Sequence, residues 1–310
     1  MNSINNLLVP ILVTLILSLP GHAKVSSEPD MGIQAAKSPQ QEPNCKSKKK
    51  CQDTTDPNDP QEPETPEPPV NEFLPAGSSY QMQLQGALNT EYVADAYVFD
   101  LFDVSQETIT QIKSTGAKAI CYFSAGTYEQ WRTDAVDFAP EAIGEPLGDW
   151  PGENWLDTTH ESVKTVMKNR IQLAKDKGCD AVDPDNVDSH TQQSGFNISY
   201  AQQLEYNKYL STTAHDNQLF IGLKNNLSQL ADLHSHYDFA INESCIRWNE
   251  CDMLKPFVDA NKAVFHVEYL GVSGAGSSEF DNMCSIANNV GMYSLVLPHL
   301  LDDAYRFSCP

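Results

Sequence analysis

Eight short apolar runs alternate with helical patterns along most of this chain, and that alternation constrains the fold more than any other feature. The runs span residues 80–86, 96–102, 117–124, 179–186, 219–225, 239–244, 263–270 and 292–298. Helical patterns lie between most of them, at 105–114, 161–177, 200–215, 227–236, 252–261 and 280–289, with Ser105 as an N-cap. Strands that alternate with helices predict a parallel sheet, and eight of them in about 235 residues favour a closed (β/α)8 barrel.

The predicted barrel is irregular in two places. The link between the first two strands is too short for a full helix, and a long insertion at 125–159 follows the third strand. In barrels of this kind the chemistry lies in the loops at the C-terminal ends of the strands. We therefore expect the functional side chains to lie at those ends.

The N-terminus has the pattern of an export signal. Residues 7–19 are almost wholly apolar, and Gly21, His22 and Ala23 follow as a small-residue cleavage pattern. We therefore predict a signal peptide over 1–23 and a secreted protein, either extracellular or periplasmic. An uncleaved anchor is the alternative, but an apolar run of about 13 residues falls short of the roughly 20 that span a bilayer.

Residues 24–75 differ in composition from the rest of the chain. They are rich in Pro, Glu, Asp, Gln, Ser and Lys and show no apolar periodicity. Such a segment cannot bury enough apolar surface to offset the entropy cost of ordering it, so we predict a linker here and a barrel domain over 76–310. Cys45 and Cys51 flank a lysine-rich run that could be a small disulfide loop or a basic docking element.

The barrel region carries a strong acidic excess. The chain has 42 acidic and 20 basic residues, of which 32 and 14 lie in 76–310, so this region has a net charge of −18. Proteins that hold nucleic acid through its phosphates need an excess of Lys and Arg. The charge therefore excludes a nucleic-acid partner of that kind and favours a cationic or neutral one.

Export makes the cysteines candidates for disulfides. Proximity in sequence suggests two pairs in the barrel region, Cys245 with Cys251 and Cys284 with Cys309. Cys121 and Cys179 lie in or beside apolar runs and could be bridged or remain buried thiols.

Acidic and polar residues collect at the C-terminal ends of the predicted strands. They are Asp100, Tyr122, Asp183, Asp185, Asn186, Lys224, Glu243, Glu268 and Tyr269. Carboxylates are depleted from strands, so their recurrence at one end of successive strands predicts a site at the barrel mouth.

Two carboxylates opposed across a concave site perform glycosidic-bond hydrolysis, because one protonates the leaving oxygen and the other attacks the anomeric carbon or activates water. The spare acidic residues could bind a divalent metal, but the sequence has no Asp-x-Asp-x-Asp-Gly loop and no His-x-x-x-His pair. We therefore predict no metal and no cofactor. We interpret His266 as a hydrogen-bonded residue of the barrel and not as a metal ligand.

Seven ordered motifs resemble the catalytic domain of glycoside hydrolase family 114. They are ICYFSAGTYEQWR (120–132), WPGENWLD (150–157), GCDAVDPDNVD (178–188), GLKNN (222–226), FAINESC (239–245), NECD (249–252) and AVFHVEY (263–269). The resemblance covers nearly all of 80–310. It implies a TIM barrel, endo-α-1,4-polygalactosaminidase activity with retention of configuration, and the two disulfides suggested above for the barrel region.

The resemblance also implies roles for two carboxylates, Asp185 as the nucleophile and Glu243 as the general acid/base. Asp183 has the same strand parity as Asp185, so both should point into the barrel mouth, and the family often has Glu at the position of Asp183. We interpret Asp183 as orienting its neighbours or receiving a sugar amine, and Lys224 as a subsite residue or a partner that holds Asp185 or Glu243 ionised. The full set of candidate substrate-binding residues is Asp100, Tyr122, Asp183, Asn186, Lys224, Glu268 and Tyr269.

The sequence therefore predicts a monomeric, exported, endo-acting glycosidase for a cationic or partly acetylated galactosamine polysaccharide. Three tryptophans of the insertion, Trp131, Trp150 and Trp155, could stack on sugar faces or fasten the loop. Two alternatives differ in chemistry: a deacetylase or lyase acting on the same polymer, and a carbohydrate-binding barrel that has lost catalysis. The presence of both Asp185 and Glu243 weighs against the second.

Overall fold

Eight parallel strands form one curled sheet in the computed structural model, which describes residues 73–148, 150–269, 271 and 276–309. In chain order the elements are β1 (Tyr80–Gln83), β2 (Ala96–Asp100), α1 (Gln106–Ser114), β3 (Lys118–Ser124), β4 (Thr127–Glu129), β5 (Ile143–Pro146), β6 (Glu153–Leu156), α2 (Glu161–Lys177), β7 (Ala181–Asp185), α3 (Tyr200–Asp216), β8 (Phe220–Lys224), α4 (Leu230–Leu233), β9 (Phe239–Glu243), α5 (Cys245–Trp248), α6 (Lys255–Asp259), β10 (Val264–Glu268), α7 (Ser278–Val290), β11 (Tyr293–Val296) and β12 (Phe307–Ser308).

The main sheet has the order β1-β2-β3-β7-β8-β9-β10-β11-β12, and only β12 is antiparallel to its neighbour. All eight predicted barrel strands are present, so the predicted α/β TIM-barrel fold is confirmed. The insertion after β3 forms a separate antiparallel sheet in the order β4-β6-β5. This small sheet lies beside the C-terminal ends of the barrel strands, because β4 begins three residues after β3 ends.

The C-terminal segment joins the two edges of the curled sheet. β12 pairs with β11, while the backbone N–H groups of Leu84 and Gln85, just after β1, donate to the carbonyl of Leu301 at 2.9 and 3.2 Å. The guanidinium of Arg306 donates to the carbonyl of Tyr80 at 3.0 Å. These bonds satisfy edge groups that a parallel sheet would otherwise leave open.

Apolar side chains fill both faces of the sheet, as expected of a parallel sheet covered by helices. Alternate strand residues pack inside the barrel, where the ring of Tyr80 stacks on Phe265 at 4.6 Å between centroids. The other parity packs against the helices. Phe73, inside the segment predicted as linker, already packs on Phe239 with 5.0 Å between ring centroids.

The helices follow the predictions where the capping signals are clear. α2 spans the predicted 161–177 and ends at Gly178, whose φ of 89° is left-handed. Two predicted helices are shorter than expected. The pattern at 227–236 is a 3-10 turn (Leu227–Gln229) followed by α4, and the pattern at 252–261 is a 3-10 turn (Cys251–Leu254) followed by α6, which begins anew with a proline in its first turn.

Three disulfides occur in the described residues. Cys245–Cys251 and Cys284–Cys309 are confirmed, and Cys121 pairs with Cys179, so the alternative of two buried thiols is excluded. The predicted signal peptide and the Cys45–Cys51 loop lie outside the described residues. Within the described part of the chain, we find no helix with the length and apolarity required to traverse a lipid bilayer.

Candidate active site

Three neighbouring strands end in left-handed turns that define the barrel mouth. The turn residues are Asn186 after β7, Asn225 after β8 and Ser244 after β9, with φ values of 60°, 47° and 64°. Asparagine tolerates this conformation better than most residues because its short polar side chain bonds locally. Each turn leaves the preceding residue as the last one on its strand, and these residues are Asp185, Lys224 and Glu243.

Lys224 lies between the two carboxylates and is 2% exposed. Its Nζ is 3.3 Å from Oδ2 of Asp185 and 3.4 Å from Oε2 of Glu243. Burial alone would lower the pKa of this lysine, but Asp185, Glu243 and Asp183 more than offset that effect and raise it. Lys224 therefore stays cationic and holds the two carboxylates close together.

Two tyrosines donate hydrogen bonds to the same carboxylates. The hydroxyl of Tyr122 donates to Oδ2 of Asp185 at 3.0 Å, and that of Tyr269 donates to Oε1 of Glu243. Burial raises the pKa of both tyrosines, and the adjacent carboxylates raise it further. Both phenols therefore remain protonated and act as donors.

Glu243 is held in its ionised form. Burial by itself would raise the pKa of Glu243, but Lys224 and the hydrogen bonds from Tyr269 and Asn225 outweigh burial, so the pKa is lowered from its ordinary value. Asn225 fixes this side chain twice, because its Nδ2 donates to Oε2 of Glu243 at 3.2 Å while its Oδ1 accepts the Glu243 backbone N–H at 2.9 Å.

The backbone around Asp185 is equally constrained. The N–H of Asn186 donates to Oδ1 of Asp185 at 2.7 Å, and the N–H groups of Ala125 and Gly126 donate to the Asp185 carbonyl at 2.8 and 3.1 Å. A Cβ on Gly126 would lie 1.7 Å from the carbonyl oxygen of Asn186, so only glycine fits this close approach.

A cleft runs across the barrel mouth and over these residues. Its larger part is a cavity of about 470 Å³ lined by Asp100, Tyr122, Glu129, Trp131, Glu153, Tyr269 and His299 among others. A second cavity of about 250 Å³ lies between the insertion and the loop after β7, where Trp155, Asp188 and Gln192 form its walls. Both cavities share Asp185, Asn186, Lys224 and Asn225, so they meet at Asp185, while Glu243 lines only the larger one.

A buried charge network fixes the wall formed by the insertion. Arg132 donates to both oxygens of Asp100, at 3.1 and 2.5 Å, and its Nε donates to Glu129 at 2.9 Å. Arg170, 1% exposed, holds Asp134 through two hydrogen bonds of 2.8 and 2.9 Å. Bidentate pairs of this kind are geometrically specific. Asp100 therefore lines the cleft with both of its oxygens engaged by Arg132, and its role as a substrate contact stays a prediction.

Asp183 does not reach the cleft, so its prediction as a substrate contact is wrong. It is 0% exposed, is absent from the cavity walls, and neither carboxylate oxygen has a hydrogen-bond partner among the described residues. Strand parity correctly predicted that Asp183 points into the barrel. It could not predict the depth, because Asp183 precedes Asp185 by two residues and so lies about 6.6 Å deeper along the strand. Burial raises its pKa to about 7, with Lys224 opposing and Asp185 adding to the shift.

Glu268 also lies outside the cleft, which corrects its prediction as a substrate contact. Its Oε1 accepts the backbone N–H groups of Ile246 and Arg247 at 2.9 and 3.3 Å and so caps the first turn of α5. Consecutive strand residues face opposite sides of the sheet. Tyr269 faces the cleft, and Glu268 therefore faces the helical layer.

The remaining candidate residues line the larger cavity, the smaller one or both. Asn186 and Tyr269 line the cleft, as does Trp131, while Trp150 lines it and stacks on His299 at 5.5 Å between ring centroids. Trp155 is 7% exposed and borders only the smaller cavity, so it mainly fastens the loop.

Four residues of this site were not predicted from the sequence: Glu129, Arg132, Glu153 and Asn225. Three of them had a signal in the sequence. Glu129 and Arg132 are charged residues of the first insertion motif, and Glu153 lies between two tryptophans in the WPGENW segment.

One group of closely spaced metal-ligating side chains occurs in the described residues, consisting of Cys245, Cys251 and His266. The two cysteines form a disulfide, so their thiolates are not free to bind a metal. Nδ1 of His266 lies 2.8 Å from Oγ of Ser294, as expected of a hydrogen-bonded barrel histidine.

Comparisons with known proteins place these features in context. The model of glycoside-hydrolase family GH114 matches residues 59–310. The crystal structure of Aspergillus fumigatus Ega3 in complex with galactosamine is similar at 34% sequence identity and a TM-score of 0.72, covering 76% of this chain and 96% of that chain. The glycoside hydrolase domain of PelA from Pseudomonas aeruginosa shares the fold at 12% identity and a TM-score of 0.56, covering 74% and 97% of the two chains. A comparison with curated proteins gave no match.

Proposed function

Because this chain belongs to glycoside-hydrolase family GH114 and is therefore a glycosidase, we propose that it is an exported enzyme that cuts α-1,4-linked galactosamine polysaccharide within the chain. The observation that carries the proposal is the pair of carboxylates held by one buried lysine in an open cleft.

In this proposal Asp185 is the nucleophile that attacks the anomeric carbon. Nζ of Lys224 lies 3.3 Å from Oδ2 of Asp185 and 3.4 Å from Oε2 of Glu243. The distance between these two oxygens is therefore at most the sum of the two, about 6.7 Å. Retaining glycosidases have carboxyl groups about 5–5.5 Å apart, whereas inverting ones need roughly 6.5–9.5 Å to admit a water. The upper bound allows the retaining separation and leaves only the shortest part of the inverting range. We therefore propose a covalent glycosyl-enzyme and net retention, as the family resemblance implies.

Glu243 is the general acid that protonates the leaving oxygen, and it then acts as the base that activates water. An acid must carry its proton when the substrate arrives. Because the pKa of Glu243 is lowered, the protonated form is populated at acidic pH. The proposal therefore includes an acidic pH optimum.

The substrate class follows from charge and from similarity. Galactosamine units without acetyl groups are cationic near neutral pH, and the predicted barrel region has a net charge of −18. Ega3, which is 34% identical, has been crystallised with galactosamine. An acidic domain attracts a cationic polymer over distances set by salt screening.

The cleft supports cutting within the polymer, because a second cavity of about 250 Å³ adjoins the larger one at Asp185 and offers room for further sugar units. Export is supported by the predicted signal peptide and by the three disulfides, which persist in oxidising compartments. We propose that the enzyme acts as a monomer.

The test is hydrolysis of partly de-N-acetylated α-1,4-galactosamine polymer by the wild type, Asp185→Asn and Glu243→Gln. We expect shortened oligosaccharides from the wild type and a loss of at least about 10³-fold in both variants. Matched controls are Asp252→Asn and Glu205→Gln, whose carboxylates are 82% and 77% exposed. Acetate release without shortening would support the deacetylase alternative, and binding without any product would support the binding module.

A further inference from the structure

Two carboxylates that line the large cavity have no cationic partner within 4.0 Å among the described residues, the exposed Asp103 and the half-buried Glu153. Asp100 and Glu129 pair with Arg132, and Asp185 and Glu243 pair with Lys224. Among the described residues, no Lys, Arg or His nitrogen lies within 4.0 Å of the carboxylate of Glu153. Glu153 lines the cavity and is half-buried, so its charge is only partly solvated.

A continuous hydrogen-bonded chain ties Glu153 to the catalytic carboxylate. Oε2 of Glu153 accepts from Oγ1 of Thr127 at 2.9 Å, and Thr127 is hydrogen-bonded in turn to Oγ of Ser124. Ser124 accepts from Nδ2 of Asn186 at 3.0 Å, and the N–H of Asn186 donates to Asp185 at 2.7 Å. The side chain of Glu153 is therefore positioned beside Asp185 by β4, β6 and the turn after β7.

Burial makes the ionised form of Glu153 unfavourable. Desolvation raises its pKa to about 7, and the charges of Glu129 and Asp185 add to that shift. The Thr127 hydrogen bond and the more distant charge of Arg132 oppose it. An unpaired buried carboxylate is costly, and a cation brought to it is correspondingly stabilised. Arg132 cannot supply that cation, because its guanidinium is engaged by Asp100 and Glu129.

We propose that Glu153 binds the ammonium group of the galactosamine unit seated beside Asp185 and so selects that unit in its unacetylated form. The inference rests on the proposed function. The amino group of galactosamine is on the carbon next to the anomeric carbon, which Asp185 attacks, so a residue that recognises the amine must lie close to Asp185. Asp183, which also lacks a cationic partner within 4.0 Å among the described residues, is fully buried and cannot contact a sugar.

The experiment reads the acetylation state of the new reducing ends. The sugar beside the nucleophile becomes the reducing end, so mass-spectrometric sequencing of products from a randomly, half-acetylated α-1,4-polymer reports this subsite directly. We expect the wild type to leave unacetylated reducing ends, and Glu153→Gln to reduce that preference about tenfold to a hundredfold, the range for losing a hydrogen bond to a charged group. Glu153→Asp should retain most of it.

Asp103→Asn is the matched control, because Asp103 lines the same cavity but is exposed. Like Glu153→Gln, it replaces one cavity carboxylate by a neutral amide. Its reducing ends should keep the wild-type preference. An unchanged preference in Glu153→Gln, or an equal loss in Asp103→Asn, would overturn the inference. A wild type that produces no oligosaccharides would instead contradict the proposed function.

A binding measurement covers the case of a folded but inactive Glu153→Gln protein. Galactosamine should raise the melting temperature of the wild type more than N-acetylgalactosamine does, and the variant should show no such difference. If the variant keeps the difference, Glu153 does not recognise the amine.

Discussion

The Nζ atom of Lys224 lies 3.3 Å from Oδ2 of Asp185, at a position where the lysine side chain is almost completely buried. The same ammonium is 3.4 Å from Glu243. Two carboxylates this close would repel each other strongly without a cation between them. The lysine therefore allows both to be present in one cleft.

Replacing Lys224 by methionine should remove that cation with little change in volume. We expect kcat/KM to fall about 10²–10³-fold, as when one charge-stabilising group of an active site is lost, and stability to fall by about 3–5 kcal/mol because a buried pair is broken. Steady-state kinetics and thermal unfolding measure the two effects. Lys224→Arg, which keeps the charge, should lose less activity, and equal losses in both variants would argue against an electrostatic role.

Tyr269→Phe should shift the basic limb of the pH–rate profile. The Tyr269 hydroxyl is one of the donors that lower the pKa of Glu243. Without it that pKa rises, so the protonated acid persists to higher pH and the basic limb of kcat/KM moves upward by about one pH unit. Tyr122→Phe is the matched control, because it removes a hydrogen bond to Asp185 instead. A downward shift in Tyr269→Phe would contradict the assignment of Glu243 as the acid.

Asp183→Asn should change how stability depends on pH. In the folded protein burial raises the pKa of Asp183 to about 7, above the ordinary aspartate value of 3.8 expected in the unfolded chain. Between those values the folded state binds more protons than the unfolded state, so this carboxyl makes the wild type less stable as the pH rises from about 4 to 7. The asparagine variant should lose that decline, by of order 1 kcal/mol or more between pH 5 and pH 8. Urea unfolding at both pH values measures it, and parallel curves for the two proteins would refute the role of Asp183.

The barrel strands and the positions of the residues at the centre of the cleft could be predicted because they depend on local patterns. Short apolar runs mark β7, β8 and β9, and the polar residue that closes each run marks the barrel mouth, which identified Asp185, Lys224 and Glu243. The depth of a side chain could not be predicted from parity alone, as Asp183 demonstrates.

Contacts between distant segments were beyond the sequence patterns. Glu153 lies opposite Glu129 because β4 and β6 pair across an insertion of irregular loops, and no periodicity indicates that pairing. Glu268 was misplaced because strand parity, which puts Tyr269 in the cleft, requires Glu268 to face the helices.

Gly126→Ala should impair catalysis without removing any functional group. The added Cβ would lie 1.7 Å from the Asn186 carbonyl oxygen, so the turn that positions Asp185 must move. We expect kcat to fall by roughly 10²-fold, because small displacements of a catalytic group have effects of that size. Gly116→Ala is a control for the strain of replacing a glycine away from the cleft, because its φ is 93° but no heavy atom lies within 4 Å of the added Cβ. It should lower stability and leave kcat unchanged. Wild-type kcat in Gly126→Ala would show that this close approach is dispensable.

Raising the salt concentration should weaken turnover of the cationic polymer. The predicted barrel region holds 32 acidic and 14 basic residues, so it attracts a polycation over long distances at low ionic strength. The screening length falls from about 30 Å at 0.01 M salt to about 10 Å at 0.1 M and 3 Å at 1 M. We therefore expect kcat/KM on unacetylated polymer to drop several-fold or more across this range, while kcat at saturating polymer changes little. A highly acetylated polymer tested alongside should show a much smaller dependence on salt, and melting temperatures would exclude unfolding as the cause. If both polymers respond equally to salt, the acidic excess serves solubility and does not recruit the substrate.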